Sequence, residues 1–240
     1  METYVDTAIW GMLEIPYQYR FSPRKTLAIS VHPDLAVKIN APFGTSRETI
    51  RHFVRRRGGW IRRRWREFEQ YLPQQPARRY ISGESHRYLG RQYRLKVRQG
   101  DTDSVKCLRG CLWVITRTEA LPERVKILLD GWYRSHAGVI FHERLQVCHE
   151  KTKRLGIASP ALRIRLMSSR WGSYSEKGCI TLNLKLIQAP KDCIDYVIIH
   201  ELCHAKVKNH SQSFWRLLRR LMPDFEERRK KLNILGVEMA

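Results

Sequence analysis

The amino-acid sequence predicts an α+β fold: a β-rich N-terminal half with one basic helix, then a C-terminal module with a small antiparallel sheet and helices. Three features predict it. "KTLAISVHPDLAVKINAP" (25–42) sets Leu27, Ile29 and Val31, then Val37 and Ile39, at alternate positions around a His-Pro-Asp-Leu turn, the pattern of a half-buried hairpin. "LPERVKILLDGWYRSHAGVIFHERLQVCHEKTKRLG" (121–156) changes to a helical period, with Pro122 near its first turn. "APKDCIDYVIIHELCHAKV" (189–207) carries Ile194, Ile198, Leu202 and Ala205 at helical spacing, with an apolar "YVII" that suits a core helix.

The remaining elements follow in order. "TSRETIRHFVRRRGGWIRRRWREFEQYL" (45–72) is a helix opened by a Thr45/Glu48 capping box. Ile50, Phe53, Val54, Ile61, Trp65 and Phe68 form its apolar stripe, and Gly58-Gly59 bends it. "YISGESHRYLGRQYRLKVRQG" and "DSVKCLRGCLWVITRT" read as strands, with Leu95, Val97, Val105, Leu108, Leu112 and Val114 as core residues. "LRIRLMSSRWGSYSEKGCITLNLKLI" (162–187) gives two strands around a Gly- and Ser-containing turn, and "SQSFWRLLRRLMPDFEERRKKL" gives a last helix. No internal repeat is visible. The best seam falls near 117–122, giving regions 1–118 and 119–240 that need not be separate bodies.

At 42% hydrophobic and 28% charged, the 240-residue chain has the composition of a globular protein, which excludes a disordered chain. Its formal charge of +22 attracts polyanions or merely solubilises the surface. The start lacks a basic segment followed by an apolar run, and no stretch is long and apolar enough to span a membrane. Six cysteines show no disulfide framework, and Cys107 with Cys111 make at most half of a zinc site. A soluble, cytoplasmic protein without a membrane partner is expected.

The chemistry lies in "HELCHAKVKNH" (200–210). On a helix, residues four apart share a face, so His200 and His204 present two imidazoles to one ion, while Glu201 is placed to take a proton from an activated water. His210 follows six residues after His204 and is the third ligand; Glu226 and Glu227 are weaker substitutes. That spacing equals H-E-x-x-H-x5-H with Val207 where the metzincin pattern has glycine, so the turn has to be made otherwise, with Asn209 as the residue that tolerates left-handed geometry. Three protein ligands leave a position open for water, the arrangement of catalytic rather than structural zinc. Cys203 reads as packing. Arg170 either stabilises a developing oxyanion or phosphate, or ties down a loop. Arg55, Arg56, Arg62 and Arg63, within a run of eight arginines interleaved with Phe53, Trp60 and Trp65, are candidates for contact with nucleic acid or another polyanion.

"RWGSYSEKGCITLNLKLIQAPKDCIDYVIIHELCHAKVKNHSQSFWRLLRRLMPDFEERRKKL" (170–232), with "SPRKTLAISVHPDLAVKINAP" and "SGESHRYLGRQYRL" more loosely, resembles the YgjP-like family of zincin metallopeptidase-like proteins, close to the SprT-like proteases. The resemblance implies a zincin-like C-terminal module, zinc (Zn2+) on His200, His204 and His210, and Glu201 as the catalytic residue. It also implies that a strand beside the metal aligns a peptide substrate, for which Ile180, Leu182 and Asn183 are the candidates. Tyr174 departs from the family's usual "RWGSCS", which puts any role of that cysteine in doubt. Three functions are in view: a zinc-dependent hydrolase acting on proteins or peptides, a metal-dependent nucleotide pyrophosphatase, and a nucleic-acid-binding protein with structural zinc.

Overall fold

The chain opens with a hairpin that the sequence reading did not single out, β1 (Tyr4–Trp10) and β2 (Leu13–Ser22), whose alternation buries Ala8, Ile15 and Tyr17. The hairpin read from 25–42 follows as β3 (Ala28–Val31) and β4 (Val37–Pro42). β2 and β4 pair in parallel, giving the order β1-β2-β4-β3. The computed structural model, which describes residues 2–32, 34–69, 78–167 and 170–238, then forms two helices where one was expected: α1 (Arg47–Arg56) and α2 (Gly58–Glu69). The break falls at Arg57, whose backbone (φ −94°, ψ 3°) leaves the helical region, and the next residue has to be glycine. A Cβ on Gly58 would stand 2.1 Å from Cγ of Trp10, so only glycine lets the indole pack there. The N-cap is also one residue later than the expected Thr45: the Ser46 hydroxyl accepts from the Thr49 N–H. Ile50, Val54 and Ile61 are fully buried against the sheet, with Trp60 and Trp65 packed beside them.

One carboxylate ties this unit together. Asp6 is buried and accepts from Arg47 Nε (2.9 Å) and Nη2 (2.7 Å), from Arg51 Nη2 (3.0 Å) and from the Tyr17 hydroxyl (2.8 Å). These bonds, Arg47's first, outweigh burial and hold its carboxyl far below the usual carboxylate range.

The next sheet is β5 (Ser85–Tyr88), β6 (Arg91–Gln99), β7 (Ser104–Leu108) and β8 (Cys111–Thr116), in the order β5-β6-β8-β7 with β6 and β8 parallel. This is the topology of the first sheet again: two hairpins joined through a central parallel pair, followed by helix. The repeat is one of pairing and leaves no mark in the residues. Leu95, Leu112 and Val114 are in its core as expected, whereas Leu108 is exposed. α3 (Pro122–Thr152) is the long helix read from 121–156. Then come β9 (Ala161–Arg165), β10 (Gly172–Ser175), β11 (Cys179–Asn183), a 3-10 turn (Leu184–Gln188) and α4 (Lys191–His204). The expected antiparallel pair of strands is thus a mixed sheet of three, β10-β11-β9, in which β9 and β11 run parallel. The expected last helix is two, α5 (Gln212–Leu221) and α6 (Phe225–Glu238), interrupted at Pro223, which has no N–H to continue the ladder.

The chain divides into two compact units, Met1–Pro76 with Gly236–Ala240 and Ala77–Leu235, and not at the expected 118/119. The reason is the β5–β6 turn. Leu89 and Gly90 donate backbone N–H groups to Ile187 O and Gln188 O (both 3.0 Å), and Arg78 donates to the Gln188 side chain (3.2 Å). The second sheet is therefore built onto the segment that starts α4. Among the described residues, no helix is long and apolar enough to cross a membrane.

Replacing Asp6 by Ala leaves Tyr17, Arg47 and Arg51 without their acceptor. Because the arginines stay partly solvated, the expected loss is about 1–3 kcal/mol in urea unfolding at neutral pH. A depressed carboxyl contributes stability above its unfolded pKa of about 3.9 and loses it as pH falls through the folded value. The gap between wild type and Asp6→Asn should therefore narrow below about pH 4. A gap independent of pH would show that the carboxylate charge is not what holds the unit.

Candidate metal centre

α4 is buried on almost every side, from Cys193 to Cys203, and packs against α3, α5, β10 and β11. One of its two buried acids, Asp195, is answered from α3: Arg144 donates Nε (2.7 Å) and Nη2 (2.6 Å) to the two carboxylate oxygens. Toward its C-terminal end α4 meets a cleft of about 900 Å³, lined by His200, Glu201, His204 and His210 together with β10, Arg170 and Arg229.

The three imidazoles converge. One ring nitrogen of each lies within 4.8 Å of the others, and Nε2 of His200 and His210 face each other at 2.9 Å. His204 donates Nδ1–H to the Val207 carbonyl (3.0 Å), which fixes its tautomer and leaves the Nε2 lone pair for an ion. Burial, then the neighbouring charges of His204, His210 and Arg229, push His200 down to about 3, so it stays neutral, the form that ligates. Its Nδ1 is buried without a partner. Beneath lies Phe214, fully buried, with its ring 4.9 Å from His200 and 4.7 Å from both His204 and His210. Trp215 stacks on His210 at 5.7 Å. Donor type, convergence and ring support fit a divalent cation, and among the described residues this is the one cluster that could hold a metal.

The turn between His204 and His210 is not made by a left-handed residue. Neither Val207 nor Asn209 has a positive φ; the chain keeps winding so that Val207 N donates to Cys203 O (3.0 Å). Valine serves where glycine was looked for because the carbonyl that caps His204 is reached within an ordinary helical turn.

Glu201 is buried beside the triad. Burial pushes its carboxyl up to about 7, against a backbone hydrogen bond from Tyr174 and the charge of Arg170. The departure at 174 therefore changes a side chain and keeps the N–H that matters. Gly172 has a role that the sequence reading missed: a Cβ there would stand 2.8 Å from Oε1 of Glu201 and 2.9 Å from Cγ1 of Val197. The only signal was a glycine inside a strand, which marks close approach.

Of the sequence-stated residues, the structure brings together His200, Glu201, His204, His210 and Arg170 on the cleft. Ile180, Leu182 and Asn183 are buried, and their strand β11 is the middle one of its sheet, paired on both sides, so it has no free edge to offer a peptide. Asn183 instead clamps a loop, donating Nδ2–H to Met167 O (2.8 Å) and Arg170 O (2.9 Å). Glu226 is paired to Arg219 on the surface. Cys203 is buried and its thiol is pushed up to about 12, which keeps it a packing group. Arg55, Arg56, Arg62 and Arg63 are exposed on α1 and α2, while the interleaved Trp60 and Trp65 pack into the core of the first unit.

The family model of the YgjP-like metallopeptidase domain matches residues 25–234. The chain belongs to the YgjP-like family. It is a metal-dependent peptidase by family, and a divalent metal is implied with it. Two solved structures are similar over a shorter stretch: the metallopeptidase zymogen of Pyrococcus abyssi abylysin (28% identity, 38% of this chain and 90% of that one, TM-score 0.34) and that of Methanocaldococcus jannaschii jannalysin (28%, 38% and 85%, TM-score 0.32). Among curated proteins none matches.

Gly172→Ala should retain the fold at a cost of about 1–3 kcal/mol for overpacking. Because the added methyl displaces Glu201 and not the imidazoles, metal content should hold while hydrolysis falls. Undiminished hydrolysis would mean that Glu201 is not held by this contact.

Proposed function

We propose that the chain is a zinc-dependent peptidase in which His200, His204 and His210 hold the ion and Glu201 handles the proton. The observation that carries this is the convergence of three imidazole nitrogens within 4.8 Å beside a buried carboxyl on an open cleft. Bound there, zinc supplies Lewis acidity, which makes water nucleophilic near neutral pH. Glu201 takes the proton from the attacking water and returns it to the departing amine. The neutral His200 and the oriented His204 keep their lone pairs on the ligand side. Asn183 positions the loop that carries Arg170, whose guanidinium faces the charge on Glu201.

The peptide would lie along β10. In an antiparallel pair, alternate residues turn their backbone groups outward. Trp171 O accepts from Asn183 N (2.9 Å) and so faces the sheet, whereas Tyr174 N faces Glu201. The outward positions are therefore Gly172 and Tyr174, on a strand with one neighbour among the described residues; with the Tyr174 N–H held by Glu201, Gly172 and the Tyr174 carbonyl are what the edge offers a peptide. A peptide edge of this kind favours the peptidase over the nucleotide pyrophosphatase. A reducing compartment, the cytoplasm, belongs to the same reading, because all six cysteines are free thiols.

Zinc-loaded wild type should cleave an unfolded protein such as casein and leave nucleoside triphosphates intact. Glu201→Gln should keep its zinc and lose about 10²–10⁴-fold in rate. Pyrophosphate release with casein untouched would give the site to phosphoanhydride hydrolysis, and full activity in Glu201→Gln would remove the glutamate from the mechanism.

A further inference from the structure

α6 turns three basic residues, Arg228, Arg229 and Lys231, toward α4 and the cleft, and two of them are paired with groups of the chain itself. Arg228 donates to Asp224 (2.8 Å) and to the Asp192 carbonyl (3.2 Å), and Lys231 donates to the Asp192 carboxylate (2.9 Å). Arg229 does neither. It lines the metal cleft, and among the described residues it has no carboxylate partner. Its guanidinium lies instead 5.4 Å over the ring of Trp215, which also stacks with His210 (5.7 Å) and with Phe225 (5.8 Å). A guanidinium held by its face on an indole keeps its planar fork of N–H donors available at the edge. Its charge reaches His200, His210 and Tyr196, while that of Arg170 reaches Glu201, so the two arginines act on different parts of the site. Lys208, which also lines the cleft, is paired with Glu176 at 2.5 Å.

We infer that Arg229 is a specificity residue that receives a carboxylate of the peptide substrate, so that the cleft selects peptides carrying an acidic group at a fixed distance from the scissile bond. This rests on the peptidase reading above. An arginine that lines the cleft without a carboxylate partner, beside a metal site and away from Glu201, is the complement of an anion brought by the substrate. A planar fork suits the two oxygens of a carboxylate. The carboxylate has two sources, an Asp or Glu side chain or the C-terminus of a short product-like peptide, and both present the same group.

The test uses the full chain with Glu201→Gln, loaded with zinc, and fluorescent heptapeptides in which one Asp is moved through a neutral sequence, each paired with its Asn counterpart and with acid and amide C-termini. One Asp position, or the free C-terminus, should bind on the order of 10- to 100-fold tighter than its neutral counterpart. The preference should vanish in Arg229→Gln, invert toward Lys-containing peptides in Arg229→Glu, and largely return in Arg229→Lys, with zinc content unchanged throughout. Which member of the series carries the preference identifies the source. Equal binding of acidic and neutral peptides, or a preference that survives Arg229→Gln, overturns the inference while leaving the peptidase reading intact. If no peptide binds and wild type cleaves none, the peptidase reading itself fails and this inference falls with it.

Discussion

A helix that is buried on almost every side has to have its polar groups answered on every side, and the second unit is organised around that requirement. α4 is enclosed by α3, α5, β10 and β11, and one of its two buried acids, Asp195, is closed off by the two hydrogen bonds from Arg144. Removing one partner of such a part-buried pair leaves the other without its hydrogen bonds at a cost of about 1–3 kcal/mol, so the side of α4 that faces α3 is fixed by more than shape. Fixing one side fixes the other. Residues one turn apart then have a single direction left in which to face solvent, and His200 and His204 take it.

The same enclosure supplies rigidity to the site. Phe214 touches all three imidazoles from below, and the Val207 carbonyl orients His204. Ligands held in place before an ion arrives lose little freedom on binding it. Glu201 is treated differently: it is squeezed between Gly172 and the body of α4, with one backbone N–H from Tyr174. The three imidazoles are thus supported by rings, and Glu201 by the absence of a side chain opposite it.

Much of this was legible in the sequence because it depends on local period. Spacing alone chose His200, Glu201, His204 and His210, and alternation found the hairpins of β3–β4 and of the second sheet. What was not legible depends on pairing between distant segments. Ile180 and Leu182 alternate equally well in an edge strand and in a central one, so the residues could not tell that β11 is flanked on both sides and that β10 is the edge. The seam at 118 looked sound because strands precede it and helices follow it, yet Leu89 and Gly90 bond to Ile187 and Gln188, about a hundred positions on. The split of the last helix had a visible cause in Pro223; that position 58 has to be glycine depends on Trp10, far away in the chain.

The central claim is that one ion is held by three imidazoles and no sulfur. X-ray absorption at the zinc edge on the zinc-loaded full chain tests it most directly. Three imidazole nitrogens at about 2.0–2.1 Å with one further oxygen are predicted. A shell near 2.3 Å, the distance of a cysteine sulfur, or fewer than three imidazoles would contradict it.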